Sequence, residues 1–281
     1  MVEQVCLEKH KDPTLKITKT NQNSKINKVF TIARNTFREA VRDRVLYNLV
    51  LFVLLITAAA IFLGELTDGQ EVRTIVNMGL SAMLLFGAFI AIFVGVGLVS
   101  KEIEKRTIFA IFAKPVGRAE FLIGKYLGLC LTLLVNILLM GIGVSLALIY
   151  VQGSGYSLTI WGAVYLIFLE LTILTAVAIL FSSFSSPALS AFLTFFIFII
   201  GHFSTSLRDF AESLGTTTAK AFFNFLYFFL PNFSHFSFIT LSAHGKTPSP
   251  NVLLGATAYA IIYASIVLAI SITIFSRRNF K

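Results

Sequence analysis

Residues 100–128 read SKEIEKRTIFAIFAKPVGRAEFLIGKYLG, a charged, helix-patterned stretch ending in Pro, Gly and Arg between two long apolar runs. Charge in a membrane protein belongs in water. A regular charged segment between two apolar runs therefore marks one face of a membrane and a surface suited to contact. Glu102, Glu104, Lys105 and Arg106 bring both signs of charge to the mouth of the preceding run. Ile108, Ile111 and Phe112 form an i, i+3, i+4 stripe, continued by Pro115 at i+7. Pro115 ends the helix, Gly117 permits a turn, and residues 118–125 open the next run. The pattern predicts a short helix roughly parallel to the membrane and rigidly joined to two spans, so that a push on it tilts both. A basic loop held to lipid headgroups has the same composition, and residue chemistry alone leaves both readings open.

Across the whole chain, apolar residues fill 56% of the 281 positions and charged residues only 13%, against roughly 25% charged in a soluble domain. Six runs are long enough to cross a hydrocarbon core of about 30 Å at about 1.5 Å per residue. They lie near 45–63, 76–99, 126–151, 158–181, 187–206 and 252–275. The chain thus reads as an all-α integral membrane protein with six transmembrane helices. The first run begins behind a long polar head, and no small-residue cleavage pattern follows it, so it reads as an uncleaved anchor. Cys6 falls in the polar head and Cys130 in a span, which predicts no disulfide.

The net charge of +9 is unevenly spread. Ten Lys/Arg precede the first run, six lie between the second and third, and three follow the last, leaving Arg73, Arg208, Lys220 and Lys246 for the other face. The positive-inside rule then predicts a multi-pass protein of the cell's inner (plasma) membrane with both termini and the charged hinge in the cytoplasm. The basic excess serves topology and lipid contact. Nucleic-acid binding would need a folded basic domain, which the sequence lacks.

Residues 1–26 are polar without clear periodicity and read as a flexible cytoplasmic tail. Residues 27–44 differ: Val29, Ile32, Ala33, Phe37, Ala40 and Val41 recur at helical spacing between basic residues. That predicts an amphipathic interfacial helix, either a lipid anchor or an elbow that also borders a cytoplasmic partner. Residues 45–281 form the membrane domain. Between the fifth and sixth runs, residues 207–251 contain AFFNFLYFFL at 221–230, broken by Pro231 and Asn232. A seventh span would lose a backbone hydrogen bond at Pro231 and put Arg277, Arg278 and Lys281 outside. Two short re-entrant half-helices in the outer leaflet fit better. Gly124-x-x-x-Gly128 at the start of the third run allows another helix to come close.

Catalytic motifs are missing. There is no G-x-x-x-x-G-K-[ST], because Thr240 stands where Gly245-Lys246-Thr247 would need its leading Gly. The histidines His10, His202, His235 and His244 are scattered, and a metal site needs three or four convergent ligands. No metal site is predicted, although His202 and His235 could pair on the outer face. Glu170 is the one acidic residue well inside a run. Insertion scales charge roughly 2.5–3.5 kcal/mol for an Asp at mid-helix. Either an ion or substrate contact or a structural hydrogen bond accounts for it, with Thr132 and Asn136 within reach across helices.

The hinge also resembles that of the ABC-2 type permeases, whose pattern runs E-x-E-x-G-T, a hydrophobic stretch, Pro, a basic turn and G-K. Glu102, Glu104, Thr107, Pro115, Arg118, Gly124 and Lys125 match it, and Arg106 stands where a small residue is usual. The basic amphipathic helix, the Ser-rich break at Pro187 and the LPNF around Pro231 extend the likeness over nearly all of the chain after the tail. The resemblance implies a coupling helix through which Glu102, Glu104, Arg106, Thr107, Pro115 and Arg118 meet a separate cytosolic ATPase. It also implies a second permease subunit, and ATP with Mg bound on the ATPase, so that this chain holds no cofactor. Two other readings stand beside it: an ion-coupled carrier or channel that uses Glu170, and a membrane anchor or assembly factor that recruits a cytosolic ATPase.

Overall fold

Apolar runs in a bilayer fold as helices, because lipid offers no partner for backbone N–H and C=O groups. A computed structural model of the chain describes residues 13–42, 44–65, 70–104, 117–151, 153–203 and 230–277. Among these, the helices are α1 (Pro13–Val41), α2 (Arg44–Glu65), α3 (Glu71–Glu104), α4 (Arg118–Tyr150), α5 (Ser154–Ser182), α6 (Pro187–His202), α7 (Ile239–Ala243) and α8 (Pro250–Arg277). A 3-10 turn, Phe233–Phe236, precedes α7. Within the described residues, four helical stretches are long and apolar enough to cross a membrane: Glu71–Gly97, Arg118–Tyr150, Gly155–Ser182 and Pro250–Arg277. Val53–Phe62 in α2 and the whole of α6 are shorter apolar stretches.

Helix α5 is the centre of the bundle. It is apolar on every side, the mark of a helix with no solvent face, and it is buried without interruption from Leu169 to Ile179. Helices α3, α4, α6, α7 and α8 and the 3-10 turn all pack on it. Helix α8 buries only the stripe Ala256, Ala260, Ala264, Val267, Ser271 and Phe275. Small residues on that stripe let it lie close to α5, while Leu254, Ile261, Ile262, Ile266 and Ile270 face outward. Leu131, Leu139, Ile142 and Leu146 do the same on α4. So much exposed apolar surface is what a bilayer covers, and the chain is a multi-pass membrane protein.

The element limits correct several expectations. Helix α1 begins at Pro13, so residues 13–26 are helical where a flexible tail was expected. Proline is well suited to a first helical turn, and extending an existing helix costs far less than starting one. Helix α4 starts at Arg118, ahead of the expected 126, because the basic turn itself is the first turn of the helix. Helix α6 stops at His202 rather than 206. Of the expected re-entrant region, the part after Pro231 is a 3-10 turn and the one-turn helix α7. The expected first half-helix falls on residues 204–229, outside the described residues, as do residues 105–116 of the hinge.

Candidate functional site

Two places concentrate the polar chemistry of the bundle: the end that carries the hinge, and the carboxylate inside it.

At the hinge end, Ser182 Oγ donates to Val96 O at 3.2 Å, which sets the end of α5 level with Val96. Helix α3 continues from there to Glu104, about 12 Å at about 1.5 Å per residue. The backbone of Glu102 and Glu104 therefore lies past the end of α5, on the last turn of α3. Arg106, Thr107 and Pro115 fall outside the described residues. The chain re-enters at Gly117, whose N–H donates to Glu120 Oε2 at 3.1 Å and so caps the start of α4. Arg118 does not simply point away. Its Nη1 donates to Phe275 O at 3.4 Å and Ser276 O at 2.5 Å, two carbonyls at the C-terminus of α8. Helix ends leave such carbonyls without partners, and a cation there also meets the negative end of the helix dipole. Stacking of Phe121 on Phe275, with ring centroids 6.1 Å apart, closes the same junction.

Next along α4, the glycine pair is occupied. A Cβ on Gly124 would fall 2.7 Å from Ile32 Cβ, and one on Gly128 would fall 2.6 Å from Ala33 O. Helix α1 is the helix that comes close, and Ala33, Thr36 and Ala40 are its buried face. Between the two glycines, Lys125 is only 4% exposed. Its Nζ meets Glu39 Oε2 at 3.5 Å and stands 5.8 Å from the centre of the Phe121 ring. A buried ammonium needs a partner of opposite charge, and Glu39 of α1 provides it. Sequence reasoning passed over Glu39; an acidic residue among the basic ones of an amphipathic helix was the available signal.

Glu170 sits near the middle of α5 and is 1% exposed. Thr132 and Asn136 do not serve it: their side chains donate to Gly128 O at 2.9 Å and Thr132 O at 2.8 Å, within their own helix. The group that meets it is His202, with Nε2 3.5 Å from Oε1. Hairpin geometry could have shown this. Helices α5 and α6 fold back across Ser183–Ser186, which brings the end of α6 to the depth of Glu170. His202 and His235 do not pair with each other. His235 Nε2 instead lies 3.4 Å from Asn232 Nδ2. Asn232 is buried beside Pro231, accepts from Ser234 N at 3.1 Å and donates its own N–H to Tyr259 OH at 3.0 Å. The break at Pro231 and Asn232 is therefore a capped, packed turn. His235 and Tyr259, with Val252, Gly255 and Ala256, line a cavity of about 350 Å³. Among the described residues no group of three or more His, Cys, Asp or Glu gathers as a metal site would require.

The sequence as a whole matches the family described as ABC-2 family transporter protein, over residues 30–280. No curated protein matches the chain.

Proposed function

Because the chain belongs to the ABC-2 transporter family, we propose that it is the membrane-spanning permease subunit of an ATP-driven exporter. It has no nucleotide-binding motif of its own, so a separate cytosolic ATPase, carrying ATP and Mg, supplies the energy. A second permease subunit completes the pathway, and the chain crosses the plasma membrane six times with both termini and the hinge in the cytoplasm. The observation that carries this reading is the way the hinge end is wired. Helix α3 enters the hinge past the end of α5, and α4 leaves it already fastened to α8 through Arg118 and to α1 through Lys125 and Glu39. An ATPase seated on residues 102–118 would therefore move α3 and α4 directly, and α1 and α8 with them. A plain lipid-binding loop needs none of these ties.

The test is retention of the ATPase encoded nearest to this gene during affinity purification of the chain. Glu102→Lys with Glu104→Lys should cut retention at least several-fold while membrane insertion stays normal. Full retention in the double variant would remove the coupling-helix assignment. A membrane anchor would hold the ATPase equally well, but its ATP turnover would not respond to substitutions that loosen α1 or α8.

A further inference from the structure

His202 has two ring nitrogens, and the structure fixes the task of each. Nδ1 lies 3.3 Å from Phe198 O, one turn back on α6. A carbonyl only accepts, so Nδ1 carries a hydrogen. In a neutral ring Nε2 is then a bare lone pair, and it faces Glu170 Oε1 at 3.5 Å. Among the described residues that oxygen has no hydrogen-bond partner at all. A carboxylate facing a lone pair in a buried site is unfavourable twice over, through desolvation and through repulsion. One proton between the two atoms removes both penalties. It makes either a carboxyl O–H that donates to Nε2 or an imidazolium N–H that donates to the carboxylate, and the pair is neutral overall in both forms. We propose that Glu170 and His202 together bind a single proton inside the membrane domain, and that this proton holds the end of α6 and the turn after it against α5.

Among the described residues no other charge competes for the position. Elements packed on α5 bring His235 in the 3-10 turn, Tyr259 and Tyr263 on α8, and Lys125, Tyr126 and Cys130 on α4, while α3 carries charge only near its ends. Among the described residues His202 alone stands within ion-pair distance of Glu170. His202 is 27% exposed at its side chain while Glu170 is 1% exposed, so the ring is the more accessible of the two partners.

The consequences run outward from the ring. Phe198 and Phe233 pack on His202 with centroids 4.8 and 5.7 Å away. Gly201 lets the turn sit directly on the backbone of α6, since a Cβ there would fall 2.5 Å from the Phe233 ring and 2.8 Å from Pro231 O. The same turn holds His235 and Asn232 against Tyr259, on the wall of the cavity. Loss of the proton frees the end of α6, and with it the turn that shapes that cavity. The site does not depend on whether an ATPase docks at the hinge.

The test uses the full-length chain in lipid nanodiscs, with the thermal midpoint followed across neutral pH. In Glu170→Gln the amide N–H takes the place of the proton and donates to Nε2 at any pH. Raising the pH should lower the wild-type midpoint by roughly 2–4 °C relative to this variant, whose profile should lack that fall. His202→Gln, which offers Glu170 an amide donor that does not titrate, should flatten the profile at neutral pH as well and covers the case in which the first variant fails to fold. A wild-type pH profile retained in either folded variant overturns the proposal. So does a wild-type midpoint lowered by a chelator, because the bridge would then be a metal ion.

Discussion

A single arginine shows how a residue's contacts refine its reading. The family pattern puts Arg118 on the ATPase-facing turn, yet its guanidinium closes the C-terminus of α8. Removing it in Arg118→Ala should cost about 1 kcal/mol of stability, the usual scale for a cation at a helix C-terminus, seen as a lower thermal midpoint of the purified chain. Retention of the ATPase should stay near normal, while stimulation of ATP turnover falls because α8 no longer follows α4. Lost retention would instead make Arg118 a direct docking contact. The other buried charges divide by how far the sequence could carry them. Glu170 was visible as an acid in an apolar run, because its cost is a property of the run. Its partner was legible only through the short Ser183–Ser186 link, because His202 reaches it once α6 folds back along α5. Lys125 was legible as the end of a family motif, but its burial against Glu39 depends on where α1 lies.

Among the elements, α1 and α4 show what spacing tells and what it omits. The Gly124 and Gly128 pair announced a close approach, and the alternation over residues 27–44 announced an amphipathic helix. Neither said that one was made for the other. The apolar stripe of α1 satisfies lipid and protein alike by composition, and Phe30 is indeed 70% exposed while Ala40 is 2% exposed. Only packing decides which face goes where. Gly128→Leu should force the two helices apart, since its side chain would enter the space of Ala33 O and Thr36. Overpacking of this kind costs typically about 1–3 kcal/mol, and limited proteolysis within α1 should accelerate. Unchanged cleavage would mean that α1 is held by something other than this seam. The long apolar helices were the most legible part of the fold, because a bilayer leaves the backbone no alternative. The short pieces after Pro231 were not, because a 3-10 turn and a one-turn helix rest on contacts with α3, α5 and α6 rather than on any period of their own.

On the scale of the whole molecule, the bundle has a fixed centre in α5 and an end at which its outer helices are tied together. Arg118, Lys125 with Glu39, and the Ser183–Ser271 hydroxyl pair at 2.9 Å all lie toward that end. The opposite end begins at Ser249 and Pro250, where α8 starts. On the proposed function, this asymmetry puts the ties where force would arrive and a separable turn where a path would open. The proposed function requires that a cytosolic ATPase seat on the hinge. A photo-crosslinking amino acid placed at Ile108, and in a second variant at Ser249, tests it in the assembled transporter. A crosslinked product containing the ATPase is expected from position 108 and none from position 249. Capture from 249, or from neither position, would contradict it.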